Sequence, residues 1–77
     1  MSWIPVRSTF IRAFNYDEGS RTLVVEMKTG EMYAYGGVPP EVSEAWRNEA
    51  HDGGAYFSRH VRHRYAEVAL PGKGPEA

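Results

Sequence analysis

Between positions 22 and 35 the chain alternates apolar and polar residues twice, with one break. Thr22-Leu23-Val24-Val25-Glu26-Met27 is rich in β-branched residues, Lys28-Thr29-Gly30 turns, and Glu31-Met32-Tyr33-Ala34-Tyr35 returns. That pattern predicts a β-hairpin. Its register decides which side chains are buried, because a one-residue slip moves every side chain to the other face. A two-residue Thr29-Gly30 loop sets Val25 opposite Ala34. A three-residue loop with Gly30 in the left-handed region sets Val25 opposite Tyr33 and Leu23 opposite Tyr35. The second register is preferred, since it gathers Leu23, Val25, Met27, Tyr33 and Tyr35 on one face and leaves Glu26, Met32 and Ala34 on the other. Both tyrosines are then core residues with wet hydroxyl ends.

The flanking segments are less regular. Pro5 forces Ile4 into extended geometry, so Met1 to Arg7 reads as an extended lead-in, with Trp3 anchored on the body of the fold. Thr9 to Tyr16, carrying Phe10, Ile11, Phe14 and Tyr16, reads as a strand. Asp17-Glu18-Gly19-Ser20 has the composition of a turn. After Gly36-Gly37-Val38-Pro39, Pro40 suits the first turn of a helix, where its missing N–H costs nothing. Val42, Ala45, Trp46 and Ala50 form the apolar stripe of that helix, and Glu41 and Glu44 lie near the positive end of its dipole. His51-Asp52-Gly53-Gly54 breaks it, and Asp52 can cap a second helix over Ala55 to Tyr65 with Phe57, Val61 and Tyr65 inward. The expected architecture is α+β: a small antiparallel sheet of about three strands with two short C-terminal helices on one face. Residues 1–69 make one domain, and the Pro/Gly-rich stretch 70–77 is expected to be disordered.

Composition narrows the chemistry. Seventy-seven residues without cysteine exclude a disulfide framework, a thiolate metal site and a cysteine nucleophile. No apolar run is long enough for a membrane span. The net charge of −1 hides an uneven distribution. Residues 40–54 balance at −3, whereas residues 55–65 carry Arg59, Arg62 and Arg64 with no acid, a local +3.

Guanidinium groups bind phosphate oxygens with two donors at once, so this cationic ridge is a candidate phosphate-binding surface, with His63 assisting when protonated. The plainer reading is a solvated helix face whose cations complement the helix dipole, and on the residues alone it is preferred. Tyr33 and Tyr35 are candidates for stacking unpaired bases, against the reading that both pack under the helices. His60, His63 and Glu67 allow a metal site geometrically, but the surrounding arginines repel a divalent cation, and no metal or other cofactor is expected. Ser8 and Thr9 have no identifiable base beside them and read as turn or capping residues. Neither a phosphate-cradling Gly-rich loop nor a metalloprotease or nucleophile-elbow motif is present, so an enzyme acting on a small-molecule substrate is not expected.

Several of these pieces follow one order: Pro5-Val6-Arg7-Ser8-Thr9-Phe10-Ile11, Tyr16-Asp17, Leu23 to Met27 with Thr29-Gly30, Tyr33-Ala34-Tyr35, Val38-Pro39, and Ala50 to Tyr65 with Gly54, Tyr56-Phe57 and Val61-Arg62. Over residues 5 to 65 this pattern resembles the KTSC domain, named for the C-terminal region of some lysyl-tRNA synthetases and also found as single-domain bacterial and phage proteins. The chain departs from it at Thr9, Asn15, Asp52 and Ser58, where Ser, Gly, Ser and Asn are usual. The resemblance implies an RNA-binding role by association with the synthetases. It brings Tyr33, Tyr35, Arg59, Arg62, His63 and Arg64 together as the candidate nucleic-acid-binding set. The expectation is a cytoplasmic, non-enzymatic module that binds tRNA or single-stranded RNA and no membrane. The alternative is a protein-interaction or self-association domain that uses Trp3, Met32 and the outer sheet face.

Overall fold

A computed structural model describes residues 3–49 and 52–70. Five strands, β1 (Ile4–Pro5), β2 (Ile11–Asp17), β3 (Thr22–Met27), β4 (Met32–Gly36) and β5 (Ala66–Leu70), form one antiparallel sheet in chain order. Two helices, α1 (Pro40–Arg47) and α2 (Gly53–His60), connect β4 to β5.

The hairpin has the three-residue register. Leu23 pairs with Tyr35 and Val25 with Tyr33. Met27 N–H donates to Glu31 O (2.8 Å), closing a loop whose Gly30 has φ 99°. A residue with a Cβ would be strained there, and that strain explains the glycine. On the inner face Ile11, Phe14, Leu23, Val25 and Tyr35 are buried, as are Trp46, Phe57 and Val61 from the helical side. Trp46 lies parallel to Phe14 at 4.3 Å between ring centroids, and Phe57 meets Tyr35 edge-on at 5.7 Å. Burying each of these side chains contributes roughly 1.5–3 kcal/mol, which is what holds so small a domain closed.

The sheet has five strands, not about three. Two were hidden for different reasons. β1 is two residues long and contains proline, which removes a ladder donor. β5 buries almost nothing, so no alternation of burial marks it, and it is held by backbone pairing from Met32–Leu70 to Gly36–Ala66. Leu70 therefore belongs to the sheet; the expected disorder of 71–77 lies outside the described residues. Trp3 is 41% exposed and lies outside the core cluster, while Ile4 and Val6 pack on the core.

The helices also shift. α1 ends at Arg47; Val42 and Trp46 of the expected stripe face the core, whereas Ala45 is exposed and Ser43 is buried in its stead, its Oγ donating to Pro40 O (3.1 Å), which satisfies the buried hydroxyl. Ala50 lies outside the described residues. α2 starts where Asp52 Oδ1 accepts from Ala55 N–H (3.0 Å), the expected cap. It ends at His60, five residues short of the expected Tyr65. Val61 and Arg62 N–H both donate to Phe57 O, and His63 turns the chain with φ 65° so that Ala66 can pair with β4.

Two glycines fix how α2 meets the sheet. Trp46 Nε1 donates to Gly53 O (3.0 Å) and Gly53 N–H donates to Arg7 O (3.0 Å). A Cβ on Gly53 would press on a Val6 methyl, and one on Gly54 would lie 2.8 Å from both Ser8 Oγ and Phe10 Cε1. Ser8 is a turn residue, its Oγ accepting from Phe10 and Ile11 N–H at 3.1 Å each.

Candidate nucleic-acid interface

The cationic segment is not one helical face. Arg59 and His60 occupy the last turn of α2, and Arg62, His63 and Arg64 stand on the turn that follows. All five are exposed. The difference from the expected ridge follows from the early end of α2: Val61 remains buried, and the left-handed backbone at His63 redirects the chain after it. Arg64 Nε donates to Arg59 O (3.2 Å), which folds this side chain back over the helix end and leaves its other donors outward. Among the described residues, the ion pair within 4 Å joins Arg12 to Glu26 (3.7 Å), and Arg59, Arg62 and Arg64 have no carboxylate at that distance. His60 lies against Tyr56, with ring centroids 4.5 Å apart. Among the described residues no group of three His, Asp or Glu side chains is placed to hold a metal ion.

The two candidate tyrosines separate. Tyr35 is 1% exposed and cannot stack a base; it belongs to the core, and its place in the candidate set is corrected accordingly. Its hydroxyl donates to Glu67 Oε1 (2.9 Å). Burial, then the hydrogen bond and charge of Glu67, push its phenol well above the ordinary tyrosine range, with Arg62 opposing them. Tyr33 is half-buried, and its hydroxyl donates to Glu31 Oε1 (3.2 Å). The charge of Glu31 is the main cause of its raised pKa, again opposed by Arg62. The guanidinium of Arg62 thus acts on both phenols.

These groups surround a groove of about 290 Å³. Phe10, Met27 and Phe57 give it an apolar wall, and Glu31, Glu67 and Arg62 give it charge, with Tyr33 between them. Phe10 is 40% exposed and meets Phe57 edge-on at 6.4 Å. Sequence reasoning missed Phe10 and Glu31 as site residues and weighed Glu67 only as a metal ligand. Phe10 was absorbed into a strand, although Ser8-Thr9 just before it is a turn signal. Glu67 reaches the groove only because β5 exists.

The sheet's other face carries no helix. Across it Asn15, Val24, Ala34 and Val68 form one row, with Val68 58% exposed. Met32 is half-buried beside them. Among the described residues no helix is long and apolar enough to cross a membrane.

An antiparallel sheet with two helices on one face, entered through Ser8 and closed by the Gly53-Gly54 contact, defines a small α+β domain, and its sequence places it in a family. The KTSC domain profile matches residues 7–65, so the chain belongs to the KTSC domain family. An uncharacterised protein of Stutzerimonas stutzeri (strain A1501) is 36% identical over 59 residues, covering 77% of this chain and 82% of that one. The crystal structure of a KTSC domain protein from Yersinia pestis superposes with a TM-score of 0.79 at 24% identity, covering 90% of this chain and 96% of that one. The latter likeness speaks for the fold alone.

Proposed function

We propose that this domain is a non-enzymatic, cytoplasmic RNA-binding module, with single-stranded RNA or an unpaired region of tRNA as its partner. One observation carries the reading: three exposed guanidinium groups stand within six residues, none paired with a carboxylate among the described residues. Exposed cations without a carboxylate partner keep donors available to phosphate. Arg59, Arg62 and Arg64 hold the backbone, His63 adds charge when protonated, and Tyr33 and Phe10 supply ring surface beside them. Tyr35 supports the site from below and touches no ligand.

Three phosphate contacts give weak binding that salt disperses. Labelled single-stranded RNA and tRNA are titrated against wild type and an Arg59→Ala/Arg62→Ala/Arg64→Ala variant at low salt. Binding by wild type and its loss in the variant are expected. No binding, or equal binding by both proteins, removes the reading.

The open sheet face favours a second reading, self-association. Val68, Val24 and Ala34 present an apolar row that no helix covers, and such patches often mark contacts. Light scattering over a concentration series, with Val68→Lys as the control, distinguishes a dimer from a monomer.

A further inference from the structure

The groove beside the arginines has a lining that selects among bases. It holds two carboxylates, Glu31 and Glu67, one guanidinium, Arg62, and an apolar wall from Phe10, Met27 and Phe57. Each carboxylate is oriented by a phenol: Tyr33 donates to Oε1 of Glu31 and Tyr35 donates to Oε1 of Glu67. In each, one oxygen accepts from a phenol, at the surface for Glu31 and partly buried for Glu67, which restrains the group before any ligand arrives and lowers the ordering cost of binding.

The volume of about 290 Å³ lies at the lower limit of small-molecule sites, roughly 300–1,000 Å³, and suits one planar ring system. A simple cation would satisfy the carboxylates and leave Arg62 unmatched; a simple anion would do the opposite. A neutral planar group with adjacent N–H donors on one edge and adjacent acceptors on another matches both. Guanine has that arrangement: N1–H and the N2 amino group donate side by side to a carboxylate, and O6 and N7 accept side by side from an arginine. Adenine and cytosine set a ring-nitrogen acceptor beside their amino group, which repels a carboxylate. Uracil offers one donor.

We propose that this groove is a guanine-selective base pocket, in which Glu31 or Glu67 accepts the N1–H/N2–H edge, Arg62 donates to the O6/N7 edge, and Phe10 and Tyr33 flank the ring. The proposal rests on the RNA-binding reading for its physiological ligand, an unpaired guanine of an RNA whose phosphates lie on Arg59 and Arg64. A free guanine nucleotide offers the same chemistry, and the experiment separates the two sources.

The test follows the Met27 methyl and the Phe10 and Tyr33 ring signals by NMR while guanosine, adenosine, cytidine and uridine 5′-monophosphates are added to the intact chain. Guanosine monophosphate is expected to shift these signals with an affinity at least about tenfold above the other three. Inosine monophosphate, which lacks the N2 amino group, should fall between them. Glu31→Gln and Glu67→Gln each keep an oxygen for the partner phenol to donate to, and the one that removes the base contact should erase most of the preference; a preference that survives both overturns the proposal. Arg62→Lys, which keeps the charge and loses the fork, should weaken guanine binding in a protein whose core spectrum is unchanged.

Equal affinities for the four nucleotides, or shifts confined to Arg59 and Arg64, overturn the proposal. A parallel titration with oligouridine and an equally long guanine-containing strand reads the polymer. Oligouridine binding that depends on the arginines, with no guanine preference in either format, overturns the pocket and leaves the RNA reading standing. A guanine preference for the mononucleotide with no binding of either strand overturns the RNA source and leaves a nucleotide site.

Discussion

Tyr35 and Tyr33 leave the same strand on the same side, two residues apart, and meet different surroundings. Tyr35 lies where α2 presses on the sheet, edge-on to Phe57 and paired across the strand with Leu23. Tyr33 lies one step toward the hairpin tip, where the chain after α2 passes over the sheet without closing on it and leaves the groove. At the closed end the rings of Phe14, Trp46, Phe57 and Tyr35 supply the folding energy. At the open end aromatic, acidic and basic groups stay accessible. Core packing and accessible surface are thus divided along a single sheet face, so substitutions should separate stability from the proposed ligand contact.

The largest effect is expected at the closed end. Trp46→Ala removes the ring stacked on Phe14 and leaves Gly53 O without its donor, at a cost of about 3–5 kcal/mol. Because the single core of so small a domain rarely supplies more than about 3–5 kcal/mol, urea unfolding should show it close to fully unfolded without denaturant. Gly54→Ala joins the two ends. Its Cβ would crowd Ser8 Oγ and Phe10, so a loss of about 1–3 kcal/mol is expected together with displaced Phe10 ring signals by NMR. A stability loss without movement at Phe10 would break the proposed link.

Tyr35→Phe should cost about 1 kcal/mol by deleting the hydrogen bond to Glu67, and Tyr33→Phe, with its hydroxyl near solvent, less than half of that. The pH dependence distinguishes them further. The folded phenol of Tyr35 holds its proton to higher pH than the unfolded one, so above about pH 10 the unfolded state binds fewer protons and stability falls. That contribution is fully present below pH 10. Thermal unfolding from pH 8 to 11 should show the decline in wild type and a flatter profile in Tyr35→Phe. The effect of opposite sign is at the turn: His63→Gly relieves a left-handed backbone (φ 65°) and should stabilise by no more than about 1 kcal/mol, measured by urea midpoint.

The hairpin was legible because its signals are local. Gly30 dictates the loop, the loop dictates the register, and alternation then assigns Leu23, Val25 and Tyr35 to the core. Asp52 as a cap and Pro40 in the first turn of α1 were legible for the same reason. The end of α2 was not, because Phe57, Val61 and Tyr65 keep a helical spacing across a point where the backbone turns. β5 was not, because backbone pairing with residues thirty-odd positions earlier leaves no periodic mark on Ala66–Leu70. The cationic residues could be read from composition. The groove could not, since its walls come from positions between Phe10 and Glu67 that only the completed sheet brings together.

The central claim is that the exposed arginines bind RNA phosphates while the buried core holds the fold without them. The test is oligouridine affinity across a salt series, about 50 to 200 mM, for wild type and the Arg59→Ala/Arg62→Ala/Arg64→Ala variant, since a strand without guanine leaves Arg62 free for phosphate. Three phosphate contacts predict a log–log slope of about −2 for wild type and one near zero for the variant, with the same urea midpoint for both. Equal slopes in the two proteins, or no RNA affinity at the lowest salt, would contradict the account.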